Sequence, residues 1–159
     1  MLLSSKRISS ENSHEEAHML LAELYRQHTG KEMPPILTTP LGKPYFENGP
    51  FFSISHTKNH VFCALSERPV GIDAEELDRD INLHLADKIL SPAEKARYDA
   101  SPDKRLALLR LWVLKEADAK RTGKGIQYPN HTDFFPDDPR VTVRDGCLLA
   151  IIEEENHVI

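Results

Sequence analysis

Cysteines and long apolar runs are scarce in this sequence. Its 159 residues include two cysteines, too few for a disulfide framework or a cysteine-rich metal knuckle. No stretch approaches the roughly 18 apolar residues that a membrane-spanning helix needs, and residues 1–10 lack the apolar core of a signal peptide. We therefore expect a cytoplasmic protein with no membrane partner. Cys63 and Cys147 lie in apolar, strand-like runs, which favours buried structural thiols, although the sequence leaves a disulfide open.

Basic residues are outnumbered overall but are concentrated in one segment. The net charge is −5 with neutral histidines, which argues against a general nucleic-acid-binding protein. Residues 104–124 nonetheless carry seven basic side chains against two acidic ones. Such a basic helix suits an anionic ligand or an acidic partner protein, and an ordinary solvated helix face explains the pattern equally well.

Hydrophobic periodicity and capping signals predict a mixture of helices and strands. An amphipathic helix is expected at residues 15–28, with Gly30 after it. The segment Ser91-Pro92-Ala93-Glu94 has the form of a capping box that starts a helix, and the best-defined helix, residues 104–121, ends at Gly123. Strands are expected at residues 51–55, 61–65, 70–75, 141–143 and 147–153. The predicted fold class is α+β, with helices inserted between strands.

The strand at residues 70–75 has one apolar and one acidic face. Asp73 and Glu75 are two residues apart, so both carboxylates project from the same side. Paired acids on one strand repel each other. Mg²⁺, which binds one or two carboxylates together with substrate phosphates, would remove that repulsion. Taken alone, the pattern fits a solvated edge strand better than a metal site.

One stripe of the predicted basic helix supplies partners for these acids. Trp112, Glu116 and Lys120 follow at intervals of four residues, so they share a helix face. Glu116 could add a third carboxylate, and Lys120 would place a cation beside a phosphate. The alternative is a surface Glu–Lys pair worth about 0.2–0.5 kcal/mol, but the tryptophan favours a packed face.

Two further segments carry groups that bind phosphates. Ser53-Ile54-Ser55-His56-Thr57 ends a strand with hydroxyls and an imidazole, and Gly42-Lys43-Pro44-Tyr45 supplies a lysine from a rigid loop. A serine hydrolase is disfavoured because these serines lack the G-x-S-x-G nucleophile elbow. A purely structural role for His56 stays open.

Taken together, four segments resemble the 4′-phosphopantetheinyl transferases. The order and spacing match the family signature G-[IV]-D-x-E followed by W-x-x-K-E-[AS]-x-x-K-x-x-G-x-G. The match runs from about Gly42 to Ile126 and looks like a short member of the surfactin-synthetase-activating type. The segments that carry it are residues 42–45, 52–57, 70–75 and 112–125.

The resemblance implies a fold of two similar α+β halves related by a pseudo-two-fold axis. About seventy residues precede the acidic motif, which favours this arrangement over the compact type, a trimer of single halves. We expect an N-terminal half at residues 1–68 and a C-terminal half at residues 69–159 that carries the metal and catalytic motifs. The two halves would form one compact, monomeric unit.

The same resemblance implies an enzyme that transfers the 4′-phosphopantetheine arm of coenzyme A to a serine of an apo acyl or peptidyl carrier protein. The reaction would release 3′,5′-ADP, depend on Mg²⁺, and serve fatty acid, polyketide or nonribosomal peptide synthesis. Carriers of this kind are expected to be acidic, so the basic helix becomes a predicted docking surface, with Arg110 and Lys124 as positions to test.

Site residues follow from the match to the family motifs. Asp73, Glu75 and Glu116 would bind the magnesium, and Glu116 would also be the catalytic base. Lys120 would interact with the pyrophosphate and assist departure of the leaving group. Positioning and charge neutralisation are what phosphoryl transfer asks of a protein. The residues implied in coenzyme A binding are Lys43, Pro44, Ser55, His56 and Lys120.

The sequence also departs from the family pattern. Only Lys6 and Arg7 are basic ahead of the first helix, and His18-Met19 stands where an arginine is often found, which leaves the grip on the 3′-phosphate of coenzyme A open. Asp118 adds an acid to the catalytic helix. Two other functions stay open: a shortened, non-catalytic coenzyme A or nucleotide-binding module, and a magnesium-dependent phosphohydrolase that would need no carrier.

Overall fold

The computed structural model describes residues 1–125 and 132–156, which contain eight strands and four α-helices. The strands are β1 (Leu2–Arg7), β2 (Leu37–Thr38), β3 (Pro44–Tyr45), β4 (Phe51–His56), β5 (His60–Ser66), β6 (Val70–Glu76), β7 (Val141–Arg144) and β8 (Cys147–Glu153). The α-helices are α1 (Ser13–Thr29), α2 (Ala86–Ile89), α3 (Pro92–Ala100) and α4 (Lys104–Thr122). Ile126, the last residue of the motif match, and residues 157–159 of the expected C-terminal half lie outside the described residues.

Two three-stranded antiparallel sheets share the same connectivity. The strand order is β1-β5-β4 in the first sheet and β6-β8-β7 in the second. In each sheet the first strand (β1 or β6) is followed by a helix that packs on the sheet (α1 or α4) and then by a hairpin (β4–β5 or β7–β8). The second strand of the hairpin occupies the middle of the sheet. The described chain thus contains one α+β arrangement twice, in agreement with the expected fold of two similar halves. The dividing point after residue 68 stays a prediction.

Three clusters of buried side chains define the layers. Helix α1 packs on the first sheet around Leu21 and Val61, and α4 packs on the second sheet around Leu114. The third cluster, which includes Phe62 and Ile72, lies between the two sheets. Because neighbouring strand residues point to opposite faces, β5 is buried on both sides and reads as a continuous apolar run.

The predicted elements agree with the observed ones within two residues at their ends. The capping box is present: the Glu94 N–H donates to Ser91 Oγ at 3.1 Å, and the Ser91 N–H donates to Glu94 Oε1 at 3.0 Å. Strand β1 was not predicted. Its polar residues give little strand signal, and it forms because it pairs along β5, from Leu2↔Leu65 to Arg7↔His60.

Both cysteines are buried and free, as expected from their apolar surroundings. Burial raises the pKa of each thiol to about 12, and the charge of Glu76 adds to this effect at Cys147. The disulfide that the sequence left open is therefore absent from the described structure. No helix within residues 1–125 and 132–156 combines the length and apolarity needed to cross a membrane.

A fully buried ion pair joins α3 to α4. Lys115 Nζ lies 2.7 Å from Glu94 Oε1, and neither side chain has any exposed surface. Glu94 Oε2 also accepts a hydrogen bond from the backbone N–H of Phe134 at 2.9 Å. Among the described residues the lysine ammonium has no hydrogen-bond partner beyond this ion pair. The pair therefore ties the capping box of α3 to the helix that carries the predicted catalytic residues.

Removing one member of this pair should destabilise the fold strongly. We expect Glu94→Gln or Lys115→Met to lower the free energy of unfolding by about 3–5 kcal/mol, because each leaves the other polar group buried without its partner. Urea denaturation measures the change. The double variant should recover part of the loss, since it buries no unpaired charge; single variants within about 1 kcal/mol of the wild type would contradict this account.

Candidate functional site

The site forms where α4 crosses the acidic face of β6. A Cβ atom at Gly71 would lie 1.8 Å from the carbonyl oxygen of Ala117 and 2.5 Å from the backbone nitrogen of Arg121. Glycine thus lets the helix backbone rest directly on the strand. Asp73 and Glu75 share this face, and Asp73 is 8% exposed. The sequence pattern alone favoured a solvated edge strand. β6 does lie at the edge of its sheet, but the helix covers its acidic face, so the prediction of a solvated face is wrong.

Three carboxylates affect one another electrostatically where α4 meets β6. Burial is the largest cause that raises the pKa of Asp73, Glu75 and Glu116, and a neighbouring acid raises each further. For Asp73 the pKa rises to about 6. Its Oδ2 atom is buried and has no hydrogen-bond partner among the described residues. An unpartnered carboxylate oxygen in a cluster of acids is the kind of group that a hard cation binds.

Lys120, one turn after Glu116 on α4, contacts the carboxylate of Asp73. Its Nζ donates to Asp73 Oδ1 at 3.1 Å and to the Ile54 carbonyl oxygen at 3.2 Å. Its hydrogen-bonded carboxylate is therefore Asp73 on β6, and not Glu116 on the same helix. The alternative of a simple surface Glu–Lys pair is wrong, because the lysine links α4 to both β4 and β6.

Two more side chains influence the carboxylate of Glu75. Arg79 forms an ion pair with this carboxylate, and both Arg79 and Trp112 act to lower the pKa of Glu75 against the larger raising effect of burial. The helix stripe predicted the tryptophan, but sequence reasoning missed the arginine. Arg79 follows β6 in a turn, where its backbone N–H donates to the Glu76 carbonyl at 2.9 Å. No periodic pattern signals a contact that depends on this turn.

The donor set fits a hard divalent cation such as Mg²⁺. Asp73, Glu75 and Glu116 offer oxygen ligands, and one buried oxygen lacks a partner. The ligand oxygens of these three described residues do not all lie within 4.8 Å of one another. Lys120 and Arg79 hold two of the three carboxylates, so cation binding would require these ion pairs to rearrange.

A cavity of about 500 Å³ opens beside the acids, a volume in the usual range for small-molecule sites. Glu116 and Lys120 reach it from α4, Lys43 from the loop before β3, and Pro44 from the first residue of β3. The structure thus brings four of the predicted site residues to one cavity. The remaining lining residues are Leu41, Gly42, Phe52, Ser53, Ile54, Ala119, Gly123 and Gly125.

Lys43 is fixed against the carboxyl end of α4. Its side-chain Nζ donates to the Arg121 carbonyl oxygen, and its stem lies over Gly123, where a Cβ would come within 2.8 Å of Lys43 Cδ. Gly123 also has φ +72°, a left-handed conformation that glycine adopts readily at a helix end. Burial, followed by the charge of Arg121, lowers the pKa of Lys43.

Ser55 supports the acids from β4. Its hydroxyl donates to Asp73 Oδ1 at 3.3 Å and accepts the Ala74 backbone N–H at 2.9 Å. Ser53 accepts the Ile72 N–H in the same way at 3.0 Å. The two hydroxyls join β4 to β6 where no backbone ladder connects these strands. Ser55 is 3% exposed and is not among the residues that line the cavity.

His56 lies at the exposed end of β4. Alternation along the strand places it on the same face as Phe52 and Ile54, both of which line the cavity. The imidazole itself is not among the lining residues. Ser55 and His56 are therefore absent from the lining of the cavity that Lys43 and Lys120 reach, although Ser55 and Lys120 contact the same oxygen of Asp73.

The basic residues of α4 serve mainly internal contacts. Arg110 donates to the carbonyl oxygens of Pro136, Asp138 and Val141, so it is not a free docking charge. Lys124 is exposed. The helix is thus neither a fully solvated face nor an open basic surface. The six basic residues with internal partners are Lys104, Arg105, Arg110, Lys115, Lys120 and Arg121.

Asp118, whose presence on α4 the sequence left unexplained, also has an internal partner. Its Oδ1 accepts a hydrogen bond from Arg121 Nε at 3.0 Å and lies 2.9 Å from Arg121 Nη2. The same arginine approaches Glu154 at 3.5 Å. Asp118 therefore stabilises the last turn of the helix and its contact with the chain beyond β8.

Comparison with known proteins gives a consistent group of relatives. A family model described as the 4′-phosphopantetheinyl transferase superfamily matches residues 69–154. A 4′-phosphopantetheinyl transferase of Bacillus subtilis is 35% identical over 120 residues, which cover 73% of this chain and 50% of the relative. The Nostoc protein 4′-phosphopantetheinyl transferase HetI is 38% identical over 126 residues, covering 74% of this chain and 53% of the relative.

A shorter relative has a higher identity over a smaller region. The holo-[acyl-carrier-protein] synthase of Thiobacillus denitrificans is 48% identical over 75 residues, covering 47% of this chain and 49% of the relative. The chain thus spans about half the length of the curated relatives that it matches.

The buried acid Asp73 should make the metal-free protein less stable as pH rises. Its folded-state pKa of about 6 exceeds the ordinary 3.8, so ionisation favours the unfolded chain between these values. We expect this group to lower the free energy of unfolding by roughly 2–3 kcal/mol across that interval. Asp73→Asn should remove this part of the pH dependence and be the more stable protein at neutral pH.

Urea denaturation in the presence of a chelator, at a series of pH values, measures this effect. Asp118→Asn is the matched control, because it also removes a carboxylate but leaves the acidic cluster intact. The control should keep the wild-type profile. An Asp73→Asn variant that is less stable than the wild type at neutral pH would contradict the electrostatic account.

Proposed function

The chain belongs to the 4′-phosphopantetheinyl transferase superfamily, and we propose that it transfers the 4′-phosphopantetheine arm of coenzyme A to a serine of an apo carrier protein. The observation that carries this proposal is the meeting of Glu116 and Lys120 at one cavity, beside the buried carboxylate of Asp73 and the half-buried carboxylate of Glu75. A base, a cation and a metal-binding acid cluster are the groups that this transfer requires.

Asp73, Glu75 and Glu116 are the proposed magnesium ligands. When bound, Mg²⁺ would neutralise charge on the pyrophosphate of coenzyme A. The unpartnered Oδ2 of Asp73 supports this assignment, as do the pKa values of the three carboxyls, which burial and neighbouring acids raise. A cation would give the Asp73 oxygen the partner that it lacks, and its positive charge would offset the repulsion among the three carboxylates.

The cavity is the proposed coenzyme A site. Lys43 lines it from the loop before β3, Pro44 from the start of β3, and Lys120 from α4. Two ammonium groups therefore lie near the expected anionic portion of coenzyme A. Ser55 is better explained as a positioning residue, since its hydroxyl already donates a hydrogen bond to Asp73 and accepts one from the β6 backbone. His56 stays proposed for the 3′-phosphate, on the exposed strand face beyond the cavity.

The proposed reaction is a phosphoryl transfer in which the carrier serine replaces 3′,5′-ADP. The serine Oγ forms a bond to the phosphorus that bears pantetheine, and the bond from this phosphorus to the ADP oxygen breaks. Glu116 accepts the serine proton, a role that its raised pKa favours because the carboxylate becomes more basic. Lys120 neutralises the charge that develops on the departing 3′,5′-ADP.

The proposed acceptor is an apo acyl or peptidyl carrier protein. The match to a holo-[acyl-carrier-protein] synthase supports the acyl carrier as the first substrate to test. We also propose that the enzyme is a monomer, because two sheets of the same connectivity already pack against each other within one chain. A cytoplasmic location follows from this proposal, since coenzyme A and apo carriers are its substrates.

The direct test is the intact mass of an apo carrier protein after incubation with this protein, coenzyme A and Mg²⁺. We expect a gain of one phosphopantetheine arm, with no gain when a chelator is present. Glu116→Ala should reduce the rate about 10²–10⁴-fold, because it removes the base and a metal ligand. Asp118→Asn, also on α4 but paired with Arg121, should retain the wild-type rate.

Two results would replace the proposed activity with another one. Coenzyme A binding without any mass gain across several carriers would favour a non-catalytic binding module. Release of 3′,5′-ADP from coenzyme A in the absence of a carrier would favour a phosphohydrolase. In the second case Glu116→Ala should still abolish turnover, because water would then be the group that loses a proton.

Lys120 should contribute to rate through charge stabilisation. We expect Lys120→Met to lower kcat about 10²–10³-fold, since the transition state loses one cation in a partly buried site. Lys95→Met is the control, because Lys95 lies on α3 and, among the described residues, forms its ion pairs with the exposed acids Asp87 and Asp99. Steady-state formation of the modified carrier gives both rates, and equal rates would rule out the assigned role of Lys120.

A further inference from the structure

A second polar cluster lies at one end of the core between the two sheets. His60 begins β5, Glu76 ends β6 and Cys147 begins β8. Glu76 and Cys147 are direct cross-strand neighbours in the β6–β8 pair. Alternation along β5 places His60 on the same face as Phe62, which belongs to the inter-sheet cluster. The first sheet thus supplies the imidazole, and the second supplies the thiol and the carboxylate.

The spacing of these groups matches that of ligands around one tetrahedral ion. Cys147 Sγ lies 3.6 Å from His60 Nδ1 and 3.6 Å from Glu76 Oε2, and His60 Nδ1 lies 3.5 Å from Glu76 Oε1. With zinc–sulfur bonds of about 2.3 Å and zinc–nitrogen or zinc–oxygen bonds of about 2.0–2.2 Å, neighbouring tetrahedral ligands lie roughly 3.5 Å apart. The two Glu76 distances involve different carboxylate oxygens, so a small rotation of this carboxylate would bring one oxygen into position as the third ligand.

We propose that His60, Glu76 and Cys147 form a zinc site that joins the two halves of the chain. A thiolate together with an imidazole selects Zn²⁺ over Mg²⁺, which prefers oxygen ligands. The three protein ligands leave a fourth position for water. Nothing in this assignment depends on the proposed transferase activity, because Glu76 projects from the face of β6 opposite to Asp73 and Glu75.

The surroundings of the cluster suit a metal ion that enters from solvent. Cys147 is completely buried, whereas the side chains of His60 and Glu76 are 16% and 22% exposed. The thiol therefore lies on the buried side of the proposed metal site, and His60 and Glu76 lie on the side that faces solvent. Thr57 Oγ1 donates to Glu76 Oε1 at 2.6 Å, a second contact that orients the carboxylate as metal-site partners commonly do.

Metal binding would change the state of the buried thiol. Burial and the nearby carboxylate raise the pKa of Cys147 to about 12, so without an ion the thiol keeps its proton. On binding Zn²⁺ the thiol would release this proton to solvent and coordinate as the thiolate. Complete burial also closes Cys147 to substrates, which argues against a nucleophilic role for the same three residues.

Titration of the full-length, chelator-treated protein with Co²⁺ tests the site, because thiolate coordination gives a charge-transfer absorption that oxygen ligands do not produce. We expect one such Co²⁺ per chain, displaced by one Zn²⁺ and unaffected by excess Mg²⁺. Cys147→Ser should abolish the absorption, and Glu76→Gln should weaken Zn²⁺ binding at least about tenfold. The matched control is Cys63→Ser, which changes the other buried thiol and should leave the absorption intact.

Thermal unfolding provides a second measurement on the same proteins. Zn²⁺ should raise the midpoint of the wild type and of Cys63→Ser, because a ligand that binds the folded state stabilises it. It should not raise the midpoint of Cys147→Ser, and at the same Zn²⁺ concentration it should raise the midpoint of Glu76→Gln less than that of the wild type. Absence of the charge-transfer absorption in the wild type, or its persistence in Cys147→Ser, would overturn the zinc site and leave a hydrogen-bonded cluster.

Discussion

The close contact between Gly71 and α4 is the constraint on which the site depends. Because glycine has no Cβ, the helix backbone at Ala117 lies directly on β6. This contact places Glu116 over the same strand face that carries Asp73 and Glu75. Any side chain at position 71 would lift the helix away and separate the three acids. The geometry of the candidate site thus follows from a packing requirement rather than from direct contacts among the acids.

This packing creates an electrostatic problem that the structure only partly relieves. Lys120 and Arg79 neutralise Asp73 and Glu75, yet burial still raises the pKa of both acids. Stability and function therefore oppose each other here, because the charges that destabilise the fold are those that would attract a metal ion. The fully buried pair of Lys115 and Glu94 anchors the same helix.

Predictions from sequence succeeded wherever the signal was local. The capping box at Ser91 and the ends of α1 and α4 depend on residues a few positions apart, so pattern and structure agree. They failed where a residue acts through a distant partner. Strand β1 forms only because β5 offers it an edge, and Ser55 turned out to support Asp73 rather than line the cavity.

The sequence by itself determined most of the elements, the acidic strand face, the stripe of Glu116 and Lys120, and the family, because these are properties of spacing along the chain. Only the tertiary structure decided what each side chain contacts. It turned most basic residues of α4 inward and brought His60 from one sheet to Cys147 on the other. Such contacts join residues 87 positions apart, and they depend on how two sheets pack, which no local pattern encodes.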